Sequence, residues 1–395
     1  SGVSRWEYAL THCCFFIEAL YNCSGIDLRN HPSIVRTSKF AARCLSPMGR
    51  DIIQIDQGLP LKVSNPVSGP LSKLLAKWYK DPLLGWGIFN TLEDSYTQAF
   101  DLMWYDPTIP ISSPEEENEK SVVFEDIGWV VMRSGWKEND NMVAFQCTPY
   151  WPGYHHLDQC TYQIFAHGKE IVLDSGLGWR AHPNYFDRYR DSVAHNVILI
   201  DGEGQLKHSS ESGCKMLKTE LSDFVDYACG DGTNSYDKTK KFIRSILFLK
   251  PNIIVIRDQI ELDRPRQIEW LMHGNGGNFE MHLLGSDRGF SLIDEDIKLE
   301  GFILLPERWV HNQKRGYKLT DWQTRHEVTH PVLSLVPDKS SNYEFLIVIE
   351  IDNLEKQRMI PGGIADDGSL SLVTSNYQCT IKPADFGFEY TIHPF

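Results

Sequence analysis

The spacing of hydrophobic residues changes near residue 120, and this change constrains the fold more than any other feature of the chain. Before it, apolar residues recur every three or four positions, as on one face of a helix. After it, short apolar runs are punctuated by Gly, Asn and Asp at roughly the 8–12-residue spacing of a β-sandwich. The chain is therefore predicted to be an α+β multidomain protein, with a helical part followed by a large antiparallel β-sandwich.

The helical part is predicted to span residues 1–105. Its first helix carries an apolar stripe through residues 6–21 and ends at Gly25, and Pro32 suits the first turn of a second helix that continues to Cys44. Two further helical patterns lie near residues 71–78 and 83–92, separated by Asp81-Pro82. These patterns indicate helix pairs joined by short turns.

Residues 106–120 contain three prolines and four glutamates, a composition typical of a linker. The region that follows, residues 121–395, is predicted to form the sandwich. Its clearest predicted strands are 129–133, 162–165, 170–173, 197–200, 245–249, 253–256, 302–305 and 345–350. Strands do not alternate with helices, so a doubly wound parallel sheet is not expected.

Length and charge limit the classes of function. A chain of 395 residues favours two to three domains. Its 39 basic and 53 acidic residues give a net charge of −14, which argues against nucleic acid or an anionic membrane as the main partner. No apolar run is long enough to span a bilayer, and the first residues show no signal-peptide pattern.

The chain has nine cysteines and no Cys-x-x-Cys pair. An odd number excludes a framework in which every cysteine is paired. The sequence therefore predicts buried free thiols, in a reducing or cysteine-tolerant compartment.

Polar residues gather at the ends of three predicted strands. His156 belongs to the run Tyr154-His155-His156-Leu157-Asp158, Asp174 follows strand 170–173, and His195 precedes strand 197–200. Two imidazoles and one carboxylate form a ligand set that suits zinc. Histidines at strand ends are also common as purely structural residues, so spacing alone leaves both interpretations open.

Three ordered motifs resemble the β domain of the heparinase II/III-like family. They are His156-Leu-Asp158-Gln-Cys-Thr-Tyr-Gln-Ile-Phe, then Gly168-Lys-Glu-Ile-Val-Leu-Asp174-Ser-Gly176, then Arg190-Asp-Ser-Val-Ala-His195-Asn196. The resemblance extends over about residues 1–280. It implies an α/α toroid, here partial, before the sandwich, and β-elimination of a uronic-acid-containing polysaccharide. It also implies a structural Zn²⁺ held by His156, Asp174 and His195, and a periplasmic or secreted location.

The resemblance also implies catalytic residues. The family carries a tyrosine on a toroid helix, and Tyr8 in Gly2-Val-Ser-Arg5-Trp-Glu-Tyr8 occupies the last aromatic position of that segment. A phenol can remove the C5 proton of a uronate or protonate the leaving oxygen. His155 or Tyr154 would offset the substrate carboxylate, and Tyr185 is a further catalytic candidate. Tyr8 as a packing residue of its helix is the alternative.

The sequence departs from the family pattern at three places. Tyr154 stands where relatives have the first histidine, and Gly178 stands where several relatives have a tyrosine. The Asn/His pair of earlier toroid helices would lie before Ser1. We therefore expect the chain to be a fragment of a longer polypeptide, with the missing part of its own toroid as a partner and a homodimer as a further assembly.

Residues 179–190 form a basic stretch rich in aromatics. Guanidinium groups suit carboxylate or sulfate and aromatic rings suit sugars, so the predicted substrate-binding residues are Tyr154, Trp179, Arg180, Arg188 and Arg190. The alternative is a solvated loop whose arginines pair with Asp187 and Asp191. Two other functions stay open: a non-catalytic glycan-binding or envelope module, and a glycoside hydrolase using Glu7 and Asp158.

Overall fold

Six α-helices lie in the part of the chain that the structure describes. The structure is a computed structural model, and it describes residues 2–49, 51–53, 67–91, 99–148, 155–175, 182–207, 212–284, 287–321, 326–353, 364–374 and 376–395. The helices are α1 (Val3–Ser24), α2 (Pro32–Thr37), α3 (Phe40–Arg43), α4 (Pro70–Tyr79), α5 (Pro82–Asn90) and α6 (Ala99–Trp104). None of them is both long enough and apolar enough to cross a bilayer.

The helix boundaries follow local sequence signals, with one exception. Gly25 ends α1 in the left-handed conformation, and its N–H donates to the Tyr21 carbonyl. Asp81 caps α5 by accepting from the Leu84 N–H at 3.1 Å. The prediction of one helix from Pro32 to Cys44 is wrong, because the chain turns between α2 and α3. There the Ser38 hydroxyl donates to the Val35 carbonyl at 2.9 Å, a bond that competes with helix continuation.

The described residues after α6 form twenty β-strands, and every pair of neighbouring strands among them is antiparallel. The strands are β1 (Val122–Phe124), β2 (Trp129–Arg133), β3 (Asn141–Gln146), β4 (Tyr162–Ala166), β5 (Lys169–Val172), β6 (Ile198–Ile200), β7 (Lys215–Leu221), β8 (Val225–Asp231), β9 (Thr239–Leu249), β10 (Ile253–Arg266), β11 (Ile268–His273), β12 (Glu280–Leu284), β13 (Asp287–Asp294), β14 (Ile297–Leu305), β15 (Trp309–Asp321), β16 (His326–Pro337), β17 (Ser340–Asn353), β18 (Leu370–Val373), β19 (Tyr377–Pro383) and β20 (Phe388–Pro394).

The strands form four sheets. Their orders are β1-β2-β3-β4-β5, β12-β13-β14-β17-β10-β9-β8-β7, β15-β16-β11-β6 and β18-β19-β20. The main core lies between the first three sheets, and the three-stranded sheet packs on the opposite face of the eight-stranded one. The predicted antiparallel sandwich is therefore confirmed.

The five-stranded sheet is covered on both faces, which explains the continuous apolar runs of β2 and β3. Val130, Val143 and Phe145 face the main core between the sheets. The alternate residues Val131 and Met142 join a second core with the helices. The helical part and the first sheet thus share one hydrophobic cluster.

Residues 106–120 contain no helix or strand, as the linker prediction requires, but they pack against the helices. Ile109 is buried in the helical core, and the Glu119 carboxylate accepts from Arg43 at 2.8 Å. The domain division stays a prediction, since this shared packing does not separate two bodies. The described helices also do not show the α/α toroid, which likewise stays a prediction.

Candidate functional site

Two loops at strand ends bring buried polar side chains together. The loop before β4 carries His156 and Asp158, and the turn before β6 carries His195; all three side chains are fully buried. Each offers one ligand atom, and these atoms lie within 4.8 Å of one another. We call His156, Asp158 and His195, with Asp174 beside them, the histidine cluster.

Asp174 sits directly against His195. Its Oδ2 lies 2.6 Å from His195 Nδ1. A carboxylate in this position fixes the orientation of an imidazole and leaves its other nitrogen, Nε2, to face a ligand. Burial lowers the pKa of His195, but the charge of Asp174 and the hydrogen bond outweigh it and raise the pKa to about 9.

His156 has the opposite electrostatic environment. Its burial, and then the positive charges of His195 and Arg190, hold its pKa well below the ordinary value. His156 is therefore neutral at physiological pH, which is the form that binds a metal ion. His195, with its raised pKa, would release a proton when its Nε2 binds a metal. Among the described residues, neither ring nitrogen of His156 has a hydrogen-bond partner, and neither does His195 Nε2.

Buried nitrogens without partners are rare and need an explanation. Two imidazoles with a carboxylate alongside form the donor set that zinc prefers. The histidine cluster therefore fits the metal that the sequence predicts. Asp158 adds a second carboxylate to this set; its Oδ1 accepts from Gln146 Nε2 at 3.0 Å.

Asn196 holds the strand ends around the cluster. Its side-chain amide donates to the carbonyls of Tyr162 at 2.7 Å and Leu173 at 2.9 Å, and its Oδ1 accepts from the His273 N–H at 2.7 Å. Three segments are thus fixed next to His195. This explains why an asparagine follows His195 in the sequence motif.

Tyr185 lies beside the cluster rather than in solvent. It begins the turn Tyr185–Tyr189, is buried, and its ring meets the His156 ring edge-on with centroids 6.0 Å apart. The half-buried His155 precedes His156, and its carbonyl accepts from Arg190 Nε at 2.9 Å. The catalytic roles predicted for Tyr185 and His155 stay predictions.

The predicted substrate-binding residues divide into two groups. Arg190 is buried, and Arg188 lies over the Tyr317 ring at 3.8 Å from its centroid. Both guanidinium groups therefore have contacts within the protein. Tyr154, Trp179 and Arg180 lie outside the described residues.

Helix α1 brings a cation near the cluster. The positive charge of Arg5 contributes to the low pKa of His156, so the first turns of α1 lie within electrostatic reach of the histidines. Tyr8 is one turn further along, with its side chain 71% exposed. Its ring contacts that of His12, with centroids 4.6 Å apart. Tyr8 is therefore accessible to a large substrate.

Sequence reasoning favours a core position for His273, which is buried, but it assigned no role to Arg5 and did not identify the contact between His273 and His330. His273 Nδ1 lies 3.0 Å from His330 Nε2, and the two come from the paired strands β11 and β16. Residues so far apart in sequence give no local signal of their contact. Arg5 stands at a position where the family pattern has an aromatic residue, and this departure is the only feature of the sequence that draws attention to it.

The His330 imidazole predicts a loss of stability in acid. Burial, and then the charge of Lys318, lower its pKa to about 3 from an ordinary value of 6.5. As the pH falls below 6.5, His330 binds a proton in the unfolded chain but stays neutral in the folded chain, so the free energy of unfolding falls. We expect the free energy of unfolding, measured with urea, to fall by about 2 kcal/mol between pH 6.5 and pH 4.5.

The loss should be smaller in His330→Gln and should persist in the exposed control His393→Gln. An equal loss in the wild-type chain and in both variants would contradict the assignment to His330.

The comparisons with known proteins agree with this architecture. The sequence matches the family described as heparinase II/III-like, C-terminal, over residues 116–353, the range that contains the histidine cluster. A search of curated proteins finds no match.

Solved structures share the fold at low sequence identity. A heparinase III with methylated lysines is 16% identical, with 98% of this chain and 57% of that chain covered and a TM-score of 0.69. A mutant of heparan sulfate lyase HepC from Pedobacter heparinus is 13% identical, with coverages of 89% and 51% and a TM-score of 0.62. Another heparinase III is 12% identical, with coverages of 94% and 56% and a TM-score of 0.62. The chain thus spans little more than half the length of these proteins.

Proposed function

Because this chain belongs to the heparinase II/III-like family, we propose that it acts in a polysaccharide lyase that cleaves a uronic-acid-containing glycan by β-elimination. The family match over residues 116–353 carries the proposal, since that range holds His156, Asp174 and His195. The structures named heparinase III and heparan sulfate lyase support it through their shared fold.

The chemistry needs three contributions from the protein. One group removes the proton at C5 of the uronate, one protonates the glycosidic oxygen that leaves C4, and a cation or hydrogen-bond donor offsets the charge of the substrate carboxylate. We assign the proton transfers to Tyr8, because its exposed phenol can contact a polymer. Arg5 and His155 are the nearby groups that would offset the carboxylate.

Tyr185 is assigned a different role. Its buried ring packs against His156, which suits a residue that positions the histidine cluster. The glycoside hydrolase alternative is weaker, because Asp158, one of its two carboxylates, is fully buried and bonded to Gln146. A buried carboxylate cannot reach a glycosidic oxygen.

We propose that His156, Asp174 and His195 hold a zinc ion, with Asp158 beside them. When bound there, zinc would supply a structural brace between the loops that precede β4 and β6. The partnerless nitrogens of His156 and His195 support this assignment. Asn196 and Asp174 orient His195 toward the cluster from within the protein.

The proposed function is tested by ultraviolet absorbance at the band of unsaturated uronates. The purified chain, with its metal content measured, is incubated with a panel of uronate polysaccharides and with a neutral glucan as the control. We expect absorbance to rise with at least one uronate polymer and not with the glucan. If zinc is bound at one ion per chain and no polymer gives a rise, the lyase proposal for this chain is wrong, and polymer retention in a binding assay would favour the glycan-binding alternative.

Zinc binding gives a separate prediction. His195→Ala should lower zinc content from about one ion per chain toward zero, because it removes a ligand outright. Asp174→Asn should weaken zinc binding by at least about 10–100-fold, because it changes a proposed ligand that also orients His195. Affinity is measured by competition with a chromogenic chelator. His393→Ala is the exposed control, and unchanged zinc binding in His195→Ala would contradict the site.

A further inference from the structure

Three cysteines meet inside the main core, on the far side of β4 from the helices. Cys147, Cys160 and Cys214 are buried, and their sulfur atoms lie within 4.8 Å of one another. Cys160 Sγ and Cys214 Sγ are 3.1 Å apart. Cys147 directly follows β3, Cys160 lies just before β4, and Cys214 directly precedes β7. The three sulfurs therefore come from segments that are distant in sequence.

Two glycines, one in β8 and one just after it, make room for these sulfurs. A Cβ atom at Gly230 would lie 2.6 Å from Cys147 Sγ, and one at Gly232 would lie 3.0 Å from Cys160 Sγ. Any side chain at these two positions would press on the sulfurs. The backbone at these two positions therefore lies close to the sulfurs of Cys147 and Cys160.

The backbone at Cys160 is also unusual. Its φ of 61° lies in the left-handed region, which an L-residue other than Asn or Asp rarely adopts. The Arg244 guanidinium holds it there by donating from Nη1 to the Cys160 carbonyl at 2.7 Å. Such strain persists only where the surroundings impose it, and it concentrates at functional positions.

Polar contacts favour the charged form of one thiol. Burial raises the pKa of all three thiols, and it holds the pKa of Cys147 and Cys160 well above the ordinary value. For Cys214, hydrogen bonds from Cys147, Cys160 and Ser235 outweigh burial and lower the pKa to about 5. The Ser235 hydroxyl is 3.6 Å from Cys214 Sγ. A thiolate is the form of cysteine that binds metals.

We propose that Cys147, Cys160 and Cys214 form a second metal site, which binds a thiophilic d¹⁰ cation such as Zn²⁺ or Cu⁺. Sulfurs around one ion at about 2.3 Å stand roughly 4 Å apart, so binding would need the Cys160–Cys214 edge to open by about 1 Å. This site shares no ligand with the histidine cluster, and it does not depend on the proposed lyase activity.

Cadmium titration is the direct test, because cadmium bound to thiolates absorbs in the ultraviolet while cadmium bound to imidazole and carboxylate does not. The reduced, chelator-treated chain is titrated with Cd²⁺. We expect a band that saturates at one ion per chain and that survives in His195→Ala. Cys214→Ser should weaken cadmium binding at least about 100-fold. Cys379→Ser, a change at a buried cysteine outside the cluster, should leave it unchanged.

Two further measurements protect the test against misfolded variants. In the wild-type chain, bound cadmium should slow the alkylation of the three cluster cysteines, as mapped by mass spectrometry, and should leave the rate at the equally buried Cys379 unchanged. The denatured, chelator-treated chain, purified without reductant, should show all nine thiols. A folded wild-type chain with no thiolate band overturns the proposal, and so does a count of seven thiols, which would mean that Cys160 and Cys214 form a disulfide instead.

Discussion

Replacing Arg244 with methionine is expected to lower the free energy of unfolding by about 3–5 kcal/mol, because the change leaves a charge buried without its partner. Arg244 Nε and Nη2 donate to the two oxygens of Asp258 at 2.7 and 2.6 Å, and both side chains are fully buried. Trp270 Nε1 also donates to Asp258, at 2.9 Å. In the variant, the Asp258 carboxylate keeps only that neutral donor.

Arg244 also joins the two sites. Its Nη1 donates to the carbonyls of Cys160 and Asn196, at 2.7 and 2.5 Å. Loss of the guanidinium therefore leaves two buried carbonyls without this donor, next to the cysteine cluster and next to His195. We expect the variant to bind both zinc and cadmium more weakly, in addition to its lower stability.

Urea unfolding followed by circular dichroism measures the change. The control is Lys240→Met, which removes the exposed ion pair of Lys240 with Glu261 and should cost less than about 1 kcal/mol. The double variant Arg244→Met/Asp258→Leu should recover part of the lost stability, because no unpaired charge remains. A loss in Arg244→Met no larger than that of the control would show that the buried pair contributes little.

Replacing Tyr8 with phenylalanine is expected to lower the turnover number by about 10²–10⁴-fold, the usual contribution of a positioned acid or base. The ring and the helix are kept, so substrate binding should change little. KM should therefore stay within a few-fold while kcat falls. The measurement is the initial rate of unsaturated uronate formation on whichever polymer the wild-type chain cleaves.

Two tyrosines provide comparisons for Tyr8. Tyr105→Phe removes another exposed phenol at the end of the helical part and should leave kcat unchanged. Tyr185→Phe should act through His156, with a smaller fall in kcat accompanied by weaker zinc binding. If Tyr185→Phe abolishes turnover while Tyr8→Phe does not, then Tyr185 is the acid or base and Tyr8 is a surface residue of α1.

The elements of the fold could be predicted because their signals are local. Gly25 ends α1 since only a residue without a Cβ enters the left-handed region at low cost. Strand β2 spans Trp129–Arg133, the same residues that its apolar run predicts. The prediction of buried thiols agrees with seven of the nine cysteines, whereas Cys13 and Cys23 lie exposed on α1. Helical spacing alone does not show which side of a helix is covered.

The sequence by itself determined the order of elements, the antiparallel sandwich, the family, and the histidines at strand ends. Local periodicity and ordered motifs carry that information, because they depend on residues close together in the chain. The tertiary structure decided which groups meet: His156 with His195, His273 with His330, and Cys147 with Cys160 and Cys214. These contacts join segments that are distant in sequence. Their chemistry comes from burial and from neighbouring charge, which only the packed chain creates.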